Sequence, residues 1–147
     1  MIRPMKTADL PEVFAVRTST IENVISLEKL QEYGITEESL TRSMSSDVKG
    51  WVFEDAGKIV GFVMGDQSNG EVQVIAVLPG CEKAGVGAAL LKQAQDWLFS
   101  TGHDQIWLKT TPDPSLRAYG FYKHLGWQAT GEIEDEDEIF ILLKNSC

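Results

Sequence analysis

A glycine-containing turn between an apolar strand and a helical segment is the part of the sequence that points most directly to chemistry. The strand ends in Val77-Leu78-Pro79, the turn contains Gly85 and Gly87, and an apolar helical pattern follows as far as Phe99. Backbone N–H groups at a helix N-terminus lack partners within the helix and lie at the positive end of its dipole. Such a turn can bind a pyrophosphate, and glycine lets the backbone approach that ligand closely.

Two glycine motifs that bind nucleotides do not fit this turn. The dinucleotide fingerprint requires a further glycine or alanine where the chain has Leu90. The triphosphate loop requires lysine and a hydroxyl residue after its last glycine, whereas Gly87 is followed by Ala88-Ala89. The turn is therefore interpreted as a pyrophosphate site of another kind.

The turn lies within a single alternating series of strands and helices. No repeat or linker divides the 147 residues, so the sequence predicts one domain, 1–147. Predicted helices begin after the caps Thr7 and Thr36, at the glycine turn, and at Asp113-Pro114. Predicted strands cover 1–5, 50–54, 59–65, 71–78, 105–109, 127–132 and 138–143, and the second to fourth of them form an antiparallel meander.

Composition excludes several classes of protein. A formal net charge of -9 argues against a nucleic-acid partner, because affinity for a polyanion depends on lysine and arginine. Five consecutive acids, residues 134–138, are interpreted as a solvated turn between two strands. Two cysteines, Cys81 and Cys147, are too few for a disulfide scaffold, and no metal site is expected. Without a signal peptide or an apolar run of about 20 residues, we expect a cytoplasmic protein with no membrane partner.

A second segment strengthens the interpretation of the turn. It consists of Ser115-Leu116-Arg117-Ala118, then Phe121-Tyr122, then Gly126-Trp127. Together with the glycine turn, it resembles the GNAT superfamily of N-acetyltransferases, whose segment is Asn-x-x-Ala-x-x-x-Tyr-x-x-x-Gly-Phe. The resemblance covers nearly the full length. It implies an α/β fold with a mixed sheet (α+β), in the order β-α-α-β-β-β-α-β-α-β-β, splayed between the fourth and fifth strands.

The resemblance also implies acetyl-CoA as the cosubstrate, with no metal. In the family the loop amides hold the pyrophosphate of CoA. This chain has Glu82 where the family usually has arginine or glutamine, and Lys83 beside it can offset that charge. The cofactor-binding residues implied are Ile75, Ala76, Val77, Lys83, Ala84, Gly85, Val86, Gly87, Ala88, Ser115 and Tyr122.

Tyr122 stands where the family has a tyrosine near the CoA sulfur that acts as general acid. A phenol with a pKa near ~10 can donate a hydrogen bond or proton to a developing thiolate. The alternative is an aromatic residue of the core whose hydroxyl reaches the surface. Ser115 replaces an asparagine that often binds the pantetheine arm.

Glu71 is the candidate base for the acceptor amine, which is mostly protonated at neutral pH. Strand alternation predicts that Glu71 shares a face with Gln73, Ile75 and Val77, and some family members have a glutamate base at this position. A solvent-exposed glutamate at the strand end is the alternative. We expect direct transfer in a ternary complex, with Cys81 as a less favoured covalent carrier because it lies on the pyrophosphate side of the loop.

The acceptor is expected to be a primary amine of a small molecule or a protein. In the family, the regions that correspond to 19–36 and 131–139 line the acceptor cleft. Acids there either attract a cationic amine or form ordinary solvated surface: Glu22, Glu28, Glu32, Glu132 and Glu134. Homodimers are common in the family, and exposed apolar residues of the last predicted strand, 139–143, are the candidates to pair across subunits. The competing interpretation is a non-catalytic acyl-CoA-binding or interaction module on the same fold.

Overall fold

The computed structural model describes residues 1–20, 24–81 and 85–144. The strands are β1 (Ile2–Pro4), β2 (Val48–Asp55), β3 (Lys58–Asp66), β4 (Glu71–Val77), β5 (Gln105–Thr110), β6 (Gln128–Glu134) and β7 (Asp137–Leu143). The helices are α1 (Leu10–Arg17), α2 (Leu27–Glu32), α3 (Glu37–Met44), α4 (Val86–Ser100) and α5 (Arg117–His124), and a 3-10 turn at Thr7–Asp9 precedes α1. These strands form one sheet in the order β1-β2-β3-β4-β5-β7-β6.

The sheet confirms the predicted fold class. Strands β1 to β4 are antiparallel neighbours, β5 runs parallel to β4, and β7 returns antiparallel to β5. The element order matches the prediction except for the short helix α2, which the predicted order does not contain.

Apolar side chains bury both faces of the sheet. On one face, Leu90, Leu91 and Leu98 of α4 are fully buried against β2 to β5, and α5 completes this cluster. On the other face, Leu10 and Val13 of α1 are buried in a second cluster with α2 and α3. Burying one such leucine side chain contributes about 1.5–3 kcal/mol, so these contacts hold the helices against the sheet.

Two predicted helix caps are wrong, and in each case an aspartate side chain at or near the predicted cap closes a short turn. Thr7 opens the 3-10 turn, in which the carboxylate of Asp9 accepts a hydrogen bond from the backbone N–H of Lys6 at 2.8 Å. Asp113 accepts from the backbone N–H of Ser115 at 2.9 Å, and α5 begins only at Arg117. Asp side chains form such local turns readily, which competes with helix capping. The cap at Thr36 is confirmed, because its hydroxyl accepts from the N–H of Ser39.

The last two strands also differ from expectation. Strand β7 lies inside the sheet between β5 and β6, so any contact of residues 139–143 across subunits would use their side chains and not a free strand edge. The acidic run is only partly solvated. Glu138 is 7% exposed, and its carboxylate accepts from the N–H of Gly131 at 3.0 Å and from the hydroxyl of Tyr119 at 3.3 Å. A homodimer that uses residues 139–143 stays a prediction.

Candidate active site

A bulge in β4 determines which of its side chains reach the two faces of the sheet. Met64 of β3 pairs with Val74, but the next residue, Gly65, pairs with Val72. Gln73 is therefore the extra residue in this strand. An extra residue reverses the alternation of side chains on either side of it.

The predicted face of Glu71 is wrong for this reason. Val72, before the bulge, and Ile75 and Val77, after it, all pack into the cluster formed with α4. Glu71 precedes Val72, so alternation directs its side chain to the opposite face from Ile75 and Val77.

Strands β4 and β5 separate as predicted. Their register contains one pair, Glu71 with Trp107, and the N–H of Trp107 donates to the carbonyl of Gly70 at 3.0 Å. Beyond this point the strands enclose a cleft of ≈ 340 Å³. The cleft is lined by 72–76 of β4, by 108–111 of β5 and the following loop, and by Arg17, Thr20, Tyr122 and Asp137.

The edge of β4 that faces this cleft suits an extended amide-bearing ligand. Ile75 and Ala76 line the cleft, whereas the opposite edge of β4 is hydrogen-bonded to β3. Within the described residues, no strand pairs with the β5-facing edge of β4 beyond Glu71. Its amides and carbonyls can therefore bind an arm such as pantetheine as an added strand.

The N-terminus of α4 lies at the end of β4, as the glycine turn predicts. Gly85 is the N-cap residue with φ 76°, a left-handed conformation that favours glycine, and nothing lies within 4 Å of where its Cβ would be. Gly87 is different, because a Cβ there would be 3.3 Å from Cζ of Phe121 and 3.7 Å from Cγ2 of Val77. Glycine at 87 thus also permits close packing of α4 against α5.

Four further loop residues were predicted to bind the cofactor, and the structure describes two of them. Val86 is buried in the first turn of α4 and Ala88 is half-buried there. Lys83 and Ala84, together with the unusual Glu82, lie outside the described residues.

Tyr122 lies on α5 and lines the cleft. Its ring packs against Trp127 and Phe140, with centroids 6.2 Å away in both cases, and the residue is 8% exposed. Its hydroxyl has no hydrogen-bonding partner in the part of the chain that the structure describes. Burial raises the pKa of Tyr122 to about 12, so the phenol is neutral and able to donate at physiological pH.

Ser115 and Cys81 are placed away from the cleft walls. The hydroxyl of Ser115 donates to the carboxylate of Asp113 at 2.7 Å, in the turn before α5. Cys81 is half-buried in the loop after β4 and packs at the border of the α4 cluster. Neither residue is among those that line the cleft.

The carboxylates of Glu71 and Asp137 both lie close enough to Lys109 to feel its charge. Burial raises the pKa of Glu71 and of Asp137, and the positive charge of Lys109 opposes the shift in both. Lys109 itself forms ion pairs with Glu134 at 3.0 Å and Asp135 at 3.5 Å. Asp137 lines the cleft and Glu71 does not.

Sequence reasoning missed Asp137 because it was counted within the acidic run. Alternation along β7 puts Asp137 on the opposite face from Glu138 and Phe140, but it identifies the cleft face only once the packing of α5 on Glu138 and Phe140 is known.

Of the acids nominated for acceptor binding, the four that the structure describes do not line the cleft. Glu28 and Glu32 are exposed on α2, where Glu32 pairs with Lys29 at 3.3 Å. Glu132 and Glu134 are exposed on β6. Glu22 lies outside the described residues.

Two negative findings concern membranes and metals, and both refer only to the described ranges. None of the helices there combines the length and apolarity that a bilayer span requires. No group of three or more His, Cys, Asp or Glu residues there is arranged to hold a metal ion.

Comparison with known proteins agrees with this arrangement. The sequence profile of the acetyltransferase (GNAT) family matches residues 18–127. A curated relative, an uncharacterized N-acetyltransferase of Methanocaldococcus jannaschii, is 26% identical over 100 residues. That match covers 64% of this chain, and the chain spans 64% of the length of that relative.

Solved structures share the whole fold at low sequence identity. The PaiA N-acetyltransferase of Thermoplasma acidophilum, in complex with coenzyme A, superposes with a TM-score of 0.82 at 19% identity over 98% of both chains. A GNAT-family acetyltransferase of Staphylococcus aureus superposes with a TM-score of 0.77 at 17% identity, over 97% of this chain and 98% of that one. The family profile, which matches well over half of the chain, establishes the relationship: the protein belongs to the acetyltransferase (GNAT) family.

Proposed function

We propose that the protein transfers an acetyl group from acetyl-CoA to a primary amine by direct attack in a ternary complex. The observation that carries this proposal is Tyr122, whose ring is buried, whose phenol is neutral, and which lines a cleft beside the open edge of β4. A donor at that point can interact with the sulfur of a thioester whose arm binds along β4.

Three features support acetyl-CoA as the donor. The open edge of β4 suits the amide groups of pantetheine, and the N-terminus of α4 suits its pyrophosphate. The PaiA enzyme of the same fold is described in complex with coenzyme A. We therefore place the arm beside Ile75, Ala76 and Val77 and the pyrophosphate at 83–88.

The chemistry assigns a defined task to Tyr122. A thiol with a pKa near ~8.5 is a stronger acid than a phenol with a pKa raised to about 12. Complete proton transfer from Tyr122 to sulfur would leave a phenolate, which is less stable than the thiolate. Tyr122 donates a hydrogen bond to the developing thiolate and passes a proton to sulfur only as another proton replaces it.

The predicted base, Glu71, stays a proposal. Its raised pKa suits a base, but it lies beside Trp107 where β4 and β5 are joined. A water molecule would have to carry the proton from the amine to Glu71. Backbone N–H groups of β4 can meanwhile polarise the thioester oxygen.

Release of CoA thiol in the presence of an amine tests this function. The purified chain is incubated with acetyl-CoA and separately with spermidine, an aminoglycoside and a peptide with a free amino terminus. Amine-dependent thiol release with formation of the N-acetyl product is expected. Acetyl-CoA binding without transfer to any of a broad amine panel favours the non-catalytic binding module instead.

A further inference from the structure

We propose that Asp137 binds the ammonium group of the acceptor and accepts its proton, so that Asp137 is a catalytic residue. The assignment rests on the proposed function and adds to it the residue that binds the cationic acceptor amine. It also places the base on β7 instead of β4.

The position of Asp137 follows from the alternation of β7. The side chains of Glu138 and Phe140 lie on the α5 side of the sheet. The carboxylate of Glu138 accepts a hydrogen bond from Tyr119 of α5, and the ring of Phe140 packs against Tyr119 and Tyr122. Side chains alternate along a strand, so Asp137 lies on the sheet face opposite α5. Tyr122 reaches the cleft from the α5 side, and Asp137 reaches it from the other side.

Asp137 also lies at the open end of the cleft. The neighbouring Glu138 pairs with Thr110, the last residue of β5. Glu71 pairs with Trp107, three residues earlier on β5, where the cleft is closed. An acceptor that enters between the strands therefore meets Asp137 directly, whereas Glu71 is reached only beyond the closed end.

The carboxylate of Asp137 is available for a ligand. Neighbouring acids have partners, since Glu134 and Asp135 bind Lys109 and Glu138 binds Gly131. Across the three described ranges, no hydrogen bond or ion pair engages the side chain of Asp137. Tyr122 lines the same cleft and has no hydrogen-bonding partner among the described residues, so one ligand can contact both side chains.

The surroundings tune Asp137 towards proton acceptance. Burial raises the pKa of Asp137, Lys109 opposes this effect, and the like charges of Asp135 and Glu136 reinforce it. A carboxylate with a raised pKa holds a proton more readily than an ordinary one. The charges that act on it are Lys109 on β5 and Asp135 and Glu136 in the turn, and the other titratable groups that line the same cleft are Arg17 on α1 and Tyr122 on α5.

Asp137 and Tyr122 together account for every proton that moves in the reaction. Asp137 takes one proton from the ammonium group, and the lone pair thus freed attacks the thioester carbonyl carbon. As the C–N bond forms and the C–S bond breaks, the electron pair of the C–S bond goes to sulfur. Tyr122 passes its proton to that sulfur and regains one from the acylated nitrogen. Asp137 then releases its proton to solvent, which gives an amide, free CoA thiol and one proton.

Asp137→Asn tests this assignment through its pH profile. General bases contribute roughly 10²–10⁴-fold, so we expect kcat/KM at pH 7 for an amine of the panel to fall about 10²-fold. An amine with a pKa near ~10 loses its own proton as pH rises, so the deficit should shrink about tenfold per pH unit towards that pKa. Asp137→Glu should restore part of the activity. Acetyl-CoA affinity and the melting temperature, measured alongside, exclude misfolding as the cause.

The matched control is Asp55→Asn, which removes the same charge from the exposed end of β2. Asp55 does not line the cleft, so this variant should remain near wild type. Equal activity of Asp137→Asn and Asp55→Asn, or a deficit that does not change with pH, overturns the role of Asp137. If only Glu71→Gln shows a loss of kcat/KM that shrinks with rising pH, the general base is Glu71 and not Asp137. A wild-type protein that binds no acetyl-CoA overturns the proposed function and this assignment with it.

Discussion

Glu71 on β4 pairs with Trp107 on β5, and this parallel pair marks the point from which the two strands separate. The cleft between them brings together an open strand edge, a buried phenol and a carboxylate from β7. Each of these three groups is suited to a different part of one reaction: binding the thioester arm, assisting the thiolate and taking the proton of an amine.

Removal of the Tyr122 hydroxyl should slow transfer without weakening donor binding. Tyr122→Phe keeps the ring contacts with Trp127 and Phe140 but removes the proton donor. Loss of a general acid lowers turnover by roughly 10²-fold. Steady-state kinetics and a calorimetric titration with acetyl-CoA measure the two effects separately. Unchanged turnover would remove Tyr122 from the mechanism.

The same residue should limit stability in alkali. The pKa of Tyr122 is about 12 in the folded chain against an ordinary value of 10.0, so ionisation is more costly in the folded state. The stabilisation is present below pH 10 and is lost as pH rises towards 12, with a total of about 3 kcal/mol. We expect Tyr122→Phe to lose less stability than wild type over that interval, as followed by urea unfolding.

The exposed Tyr33, which is 64% exposed, provides the control for this measurement. Tyr33→Phe should follow the wild-type curve of unfolding free energy against pH. If Tyr122→Phe and Tyr33→Phe behave alike between pH 10 and 12, burial of Tyr122 is not the origin of the alkaline loss.

Substitution of Gly87 should be poorly tolerated, because α4 packs closely against Phe121 there and the proposed pyrophosphate site requires close approach of the backbone. Its Cβ would be 3.3 Å from Phe121, so even Gly87→Ala requires the ring to move by a few tenths of an ångström. We expect a small loss of thermal stability for alanine, and for Gly87→Val a loss of acetyl-CoA binding. Retention of wild-type affinity in a folded Gly87→Val protein would contradict the placement of the pyrophosphate.

Gly120→Ala is the counterpart on α5, where nothing lies within 4 Å of the added Cβ and φ is not positive. Alanine is favoured over glycine inside a helix by about 1 kcal/mol, so this variant should melt at a higher temperature than wild type. A fall in melting temperature, recorded by differential scanning calorimetry, would mean that Gly120 has a role in packing or binding.

The fold could be predicted from the sequence because local signals agreed with it. The cap at Thr36, the glycine turn and the apolar strands each identify an element, and the family resemblance gives their order. The faces of β4 could not be predicted, since the bulge at Gln73 arises from register with β3 and leaves no local signature.

The site was only partly predictable for a related reason. Asp137 and Glu138 are adjacent acids in one run, yet one lines the cleft and the other is buried beside Tyr119. Composition alone cannot distinguish two adjacent acids. The pairing of β7 with β5 and the packing of α5 place their side chains on opposite faces of the sheet. The caps at Thr7 and Asp113 failed because side-chain bonds in short turns compete with capping.

Calorimetric titration of the purified protein with acetyl-CoA tests the central claim most directly, with NAD as the control ligand. The account predicts micromolar binding of acetyl-CoA, retention of that affinity in Tyr122→Phe, and no heat with NAD. Absence of acetyl-CoA binding to a folded wild-type protein would contradict it, because the open edge of β4 and the N-terminus of α4 would then serve another ligand or none.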